Sequence, residues 1–153
     1  MRKKRLIILL GSIVFLVIFL VLHTFGITGT GVRVKFQTIC QGYGLVHTRQ
    51  AYYVIQDSES WISIYGEYPP YIDFSNTTVI AVFMGQFNTG GYSIEIKEII
   101  DTGLTLVVKV QKTYPGAGCG LIQVITYPRH IVSIDKINKP IIFQTSTTTS
   151  HCR

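Results

Sequence analysis

Few residues in this chain have side chains suited to chemistry. Cys119 lies eleven residues before His130, and a thiol beside an imidazole can form the activated pair of a cysteine nucleophile. No local cysteine-hydrolase signature surrounds Cys119. A loop cysteine in a disulfide, with a rim histidine on a strand, accounts for both residues and is the preferred reading. Asp57 and Glu59 are close, but helix capping explains them. Glu95 and Glu98 alternate with apolar residues, as on a solvated sheet face, while His47 and His151 stand alone. No CxxC pair or Cys/His spacing points to zinc. Gly116-Ala117-Gly118-Cys119-Gly120 is glycine-rich, but a phosphate loop needs Lys-Ser/Thr and a following helix. Here the β-prone LIQVITYP follows. The expectation is therefore no catalytic residues, no metal and no cofactor.

Binding a partner protein makes different demands. Asn88-Thr89-Gly90-Gly91-Tyr92 follows an apolar run and is the leading candidate. Adjacent glycines leave the backbone bare for a partner to approach. Tyr92 supplies a rigid amphipathic ring of the kind that dominates interface hot spots. On spacing alone, its phase with Ile94 and Ile96 favours a ring packed inward at the start of a strand. The second candidate is the turn Tyr127-Pro128-Arg129, leading to His130.

The elements that must position these residues follow from composition and pattern. The 153 residues leave room for one domain, with 47% apolar, 14% charged and 12% aromatic residues. That excludes intrinsic disorder, which needs few aromatics and high charge. The net charge of +6 is concentrated in Arg2, Lys3, Lys4 and Arg5. The remainder has no basic stripe with which to neutralise phosphates, so nucleic acid is not expected as a partner.

After residues 1–5, a basic cluster, comes the apolar run Leu6–Leu22, LIILLGSIVFLVIFLVL. Its fifteen large apolar side chains favour insertion by roughly 4–9 kcal/mol. The segment 6–27 reads as a transmembrane signal anchor. No A-x-A-like site follows, as a cleaved signal would require. The basic cluster then stays in the cytoplasm and the rest of the chain lies outside a single-pass anchor. Residues 28–31 read as a tether, 32–145 as an extracytoplasmic β-rich domain, and 146–153 as a polar, frayed tail unless Cys152 ties it down.

Within that domain the period is strand-like nearly throughout. Val32, Val34 and Phe36 alternate with polar residues, and AYYVI (51–55) is β-prone. Asp57 or Ser58 caps a short helix carrying Trp61, Ile62 and Tyr65, which Gly66 and Pro69-Pro70 end. VIAVFM (79–84) reads as a central strand covered on both faces. Two alternating runs, 92–96 and 104–110, flank the turn Asp101-Thr102-Gly103. Leu121–Thr126, Ile131–Ile134 and Ile141–Phe143 read as the last strands, with Pro128 marking a break or an edge. The fold class is mostly β, α+β with one short helix: an antiparallel, sandwich-like domain of about seven strands. Cys40, Cys119 and Cys152 allow one disulfide in any of three pairings. Asn76-Thr77-Thr78 fits the glycosylation pattern or plain turn chemistry.

One ordered set of blocks resembles a known family. It comprises Trp61, Tyr71-Ile72-Asp73-Phe74-Ser75, the strand 79–85, and Thr89-Gly90-Gly91-Tyr92-Ser93-Ile94-Glu95-Ile96. Tyr114-Pro115-Gly116 follows, then Gln123-Val124-Ile125-Thr126-Tyr127-Pro128 leading to Ile131–Ile134. From about Ala51 to Phe143 the chain resembles the carboxy-terminal domain of the PrcB family, named for a subunit of a surface protease complex. The resemblance implies an exported, membrane-associated, non-catalytic accessory domain whose partner is another membrane or extracytoplasmic protein, a protease in the namesake complex. This chain departs from that pattern in lacking a lipoprotein cysteine near its amino terminus. A second resemblance, to chagasin-type inhibitors of cysteine proteases, rests on the Thr-Gly-Gly-Tyr loop, the later glycine-rich loop and the Tyr-Pro-Arg turn. It makes direct protease inhibition the alternative, although LIQVI separates the last two loops by little. A thiol enzyme using Cys119 and His130 is the remaining alternative.

Overall fold

The computed structural model describes residues 31–44 and 47–151. The basic cluster, the apolar anchor at 6–27, most of the tether and Cys152 lie outside the described residues. Among the described residues no helix is long and apolar enough to cross a membrane.

Eight strands are described: β1 (Val32–Arg33), β2 (Gln37–Tyr43), β3 (Ala51–Ile55), β4 (Thr77–Phe83), β5 (Ser93–Asp101), β6 (Leu106–Pro115), β7 (Pro128–Asp135) and β8 (Ile141–Ser150). They form two four-stranded sheets, ordered β1-β5-β6-β8 and β2-β7-β4-β3. The helix α1 (Ser58–Tyr65) lies between β3 and β4 in the chain.

Alternation decides what each sheet buries. Ile80 and Val82 of β4 and Val132 and Ile134 of β7 meet Ile94, Ile96 and Ile99 of β5 and Leu106, Val108 and Val110 of β6 in one core. The two sheets therefore face each other as a sandwich. The other face of the second sheet presents Val79, Ala81, Phe83 and Ile131, which pack with Ile55, Phe74 and Trp61 of α1. β4 is thus buried on both faces, which is why its sequence is continuously apolar. The helix has the expected ends. Asp57 accepts from Ser60 N–H at 2.7 Å, and Gly66 closes α1 at φ 73°.

Several expectations are corrected. The sheets are not wholly antiparallel, because β8 runs parallel to β6 from Leu106↔Ile141 to Pro115↔Ser150. Residues 146–150, expected as a polar tail, are the second half of that strand. Their β-branched threonines suit a half-exposed strand despite their polarity. The run from Val32 to Phe36 is strand only at Val32–Arg33, and β2 starts at Gln37. A bulge between Thr38 and Cys40 hides the alternation of β2. Gly31, placed in the tether, packs directly on Ile100 and Asp101. Pro128 neither breaks nor edges a sheet. It is the first residue of β7, a central strand, where a missing N–H is tolerated. Leu121–Thr126 is not a strand. Its one ladder contact is the bridge Phe87↔Thr126, and Val124 N–H turns back to Ile122 O at 3.0 Å.

Charged pairs lie on the sheet exterior. Glu98 takes both Arg33 at 2.6 Å and Lys109 at 2.8 Å, joining three adjacent strands. The Lys109 hydrogen bond is the main reason its carboxyl is held below the usual range. This bears out the reading of Glu98 as a sheet-face residue.

Candidate functional site

The leading candidate loop closes one end of the sandwich, and its residues divide into two roles. Tyr92 stacks on Phe87 with centroids 3.8 Å apart, and both rings meet Tyr114 edge-on. Tyr92 therefore packs inward, as its phase with Ile94 suggests, rather than projecting as a free anchor. Gly91 sits at φ 91°, and a Cβ there would lie 2.9 Å from Leu121 Cδ2 and 3.1 Å from Pro115 Cβ. Only glycine suits that place. Gly90 is different: the nearest atoms to a Cβ there belong to Ile122, at 3.8 Å and beyond. Its N–H donates to Ile122 O at 2.9 Å, and Thr126 Oγ1 donates to Thr89 O at 2.8 Å. Asn88 is exposed beside them.

These hydrogen bonds clamp the loop against 121–126 and leave the apolar side chains of that segment in water. Ile122 is 76% exposed, Ile125 55% and Val124 50%, with Tyr43 at 56% on the neighbouring β2. Tyr43, Gly90, Gly91, Leu121, Ile122 and Ile125 line a groove of about 540 Å³. An apolar patch left open in this way is what a protein-binding surface requires. The sequence reading assigned Leu121–Thr126 to a strand and so missed these residues. The available signal was a short segment apolar in both phases between glycine-rich and proline-marked ends.

The second candidate turn is spread over different surroundings. Tyr127 Oη donates to Gln86 Oε1 at 3.2 Å. Pro128 is buried, and it lines a second cleft of about 400 Å³ with Tyr43, Tyr92 and Arg129. The Arg129 guanidinium lies against Gly44, on the face of the sheet where Arg129 pairs with Phe83. There His47 Nε2, Tyr65 Oη and Arg129 Nε are each buried without a hydrogen-bond partner among the described residues. Burial pushes the Tyr65 phenol well above its ordinary value.

The proposed nucleophile pair does not assemble. Cys119 is disulfide-bonded, whereas Cys40 is a free thiol. The two pairings that would use Cys40 are thereby set aside. His130 is 2% exposed, and both of its ring nitrogens are engaged. Among the described residues no three His, Cys, Asp or Glu side chains are placed to hold a metal.

Fold and surface together define a small two-sheet β module with a water-exposed apolar groove at one end. Residues 78–135, from within β4 to the end of β7, match the PrcB C-terminal family model. The match includes the candidate loop, the apolar segment and the turn at Pro128. No curated protein and no solved structure gives a significant match to the chain.

Proposed function

We propose that this protein is a membrane-anchored, extracytoplasmic and non-catalytic interaction module that supports a surface protease. The observation that carries the reading is the groove formed by Tyr43, Gly90, Leu121, Ile122 and Ile125, where exposed apolar side chains lie side by side around one open cavity. The family match supports a protease-complex setting. The anchor rests on the apolar run after the basic cluster and on the positive-inside rule.

The test compares tagged full-length protein with Gly90→Asp and with Ile122→Asp/Ile125→Asp, each captured from native membranes. A protease recovered with the original and lost with both variants supports the reading. Equal recovery with all three rejects this surface. Protease identification in the eluate is essential, because an exposed apolar patch also retains unrelated proteins.

One observation favours a second reading. The loop 88–92 is clamped to 121–126, and Gly91 lies against Pro115, so the two glycine-rich loops share one end of the domain. That contiguity suits a loop-inserting inhibitor of a cysteine protease. Inhibition of a papain-type protease that disappears in Gly90→Asp would favour it; accessory support without inhibition would favour the first reading.

A further inference from the structure

Of the four sheet edges, three are blunted in the ways natural proteins use against unwanted strand pairing. β1 has two residues, and its Arg33 pairs with Glu98. β2 is broken by its bulge and by Gly42 at φ 120°. β3 is five residues long and runs through Gln56 and Asp57 directly into α1. β8 carries none of these devices. It is ten residues long, has no charge and no proline, and holds register with β6 without a shift. No described strand pairs beyond it.

The free edge has a definite hydrogen-bonding pattern. Leu106 N–H donates to Pro140 O and Gly116 N–H donates to Ser150 O, so the even-numbered residues of β8 turn their backbone groups toward β6. Alternation then directs the N–H and C=O of Ile141, Phe143, Thr145, Thr147 and Thr149 to the open side. Side chains on the inner face are already fixed. Phe143 packs on Tyr52, and Thr145 Oγ1 meets Tyr52 Oη at 3.2 Å. The edge is therefore ordered before any partner arrives.

We propose that β8 is a self-association edge, pairing antiparallel with β8 of a second copy to make one continuous eight-stranded sheet. A two-fold axis at Thr145 sets Phe143 opposite Thr147 and Ile141 opposite Thr149 of the second copy, all with backbone groups facing each other. On the outer face it sets Gln144 opposite Ser146. A strand with no charged residue meets no like charge when paired with itself, whatever the register. Isologous pairing of this kind closes at two copies and leaves no new edge exposed from β8.

The test measures the mass of the full-length chain by sedimentation equilibrium in density-matched detergent. The original is expected at twice its 17.2 kDa chain mass. Gln144→Lys/Ser146→Lys places cations opposite cations and is expected at the single mass. Gln144→Glu/Ser146→Glu alone behaves likewise, and an equimolar mixture of the two variants recovers the doubled mass. That recovery also shows that both variants are folded. A single mass for the original overturns the proposal, as does a Lys-bearing variant that keeps the doubled mass. A single-mass original that instead takes up an extended peptide along β8 would assign the edge to another protein.

Discussion

His130 in β7 accepts a hydrogen bond at Nδ1 from the backbone N–H of Ile96 in β5, at 2.9 Å, and so joins the two sheets. The donor lies beside the β5 bulge, where the ladder to β6 slips between Ile96 and Glu98. A backbone N–H buried at such a slip needs a partner from elsewhere. Because Nδ1 accepts, the ring proton is on Nε2, which meets Thr38 Oγ1 at 3.1 Å. The imidazole is therefore neutral and fully used within the core. Its role is to secure the bulge.

Stability should fall as pH falls through the histidine range. Burial holds His130 below its ordinary pKa, with Glu95 acting weakly in the opposite sense, and burial also lowers His47. The unfolded chain takes up these protons near pH 6.5, while the folded chain resists until a lower pH. The loss sets in as pH drops past that unfolded value and levels off once the folded pKa is passed. Denaturant melts across about pH 5 to 8 measure it. His130→Phe should flatten this dependence in part, leaving the His47 share. It should also cost roughly 1–3 kcal/mol at neutral pH by orphaning Ile96 N–H. An unchanged pH profile in the variant would remove His130 from the account.

The adjacent glycines should separate cleanly. Gly91→Ala meets both a positive φ and the side chains of Leu121 and Pro115, so a loss of about 1–2 kcal/mol is expected. Gly90→Ala meets only ordinary contacts and should melt within about 0.5 kcal/mol of the original. Thermal melts of the two variants decide between these roles. If Gly90→Ala is the more damaging, the clamp to Ile122 has been misjudged.

The tail of the domain should be held covalently. β8 ends at Ser150 beside Pro115, and Gly116 N–H bonds Ser150 O, so the chain leaves β8 next to the loop that carries Cys119. Peptide mapping without reductant is expected to join Cys119 to Cys152, with Cys40 recovered as a thiol. Reduction should destabilise the domain by about 2–4 kcal/mol and fray the last residues of β8 first in amide exchange. A Cys40–Cys119 peptide would contradict the free thiol at Cys40.

Legibility in the sequence tracked how local the cause was. The ends of α1 were readable because Asp57 and Gly66 act within one turn. The double burial of β4 was readable because VIAVFM has no polar face. The parallel course of β8 was not, since its partner β6 lies about 35 residues earlier and threonines carry no hydrophobic signal. Bulges in β2 and β5 erased the period at Cys40 and Glu98 for the same reason. The candidate site was half readable. The two glycines marked the loop and the phase of Tyr92 with Ile94 pointed its ring inward, but nothing local told that Ile122, Val124 and Ile125 stay in water. That exposure depends on the clamp from Gly90 to Ile122 and from Thr126 to Phe87, which joins segments roughly 30 to 40 residues apart.

The exposed side chains of that clamped segment should matter for binding and hardly for folding. Ile122 and Ile125 surrender little apolar area on folding, so Ile122→Asp/Ile125→Asp should move the melting midpoint by a small amount only. The same change places two carboxylates in the groove beside Gly90 and Tyr43, where an apolar side chain of a partner would have to desolvate them. A loss of partner affinity of tenfold or more is therefore expected, against a stability change within about 0.5 kcal/mol. Titration of the identified partner against both proteins, alongside thermal melts, measures the two effects separately. Unchanged affinity with a lowered melting midpoint would show that Ile122 and Ile125 serve the fold and that the partner binds elsewhere.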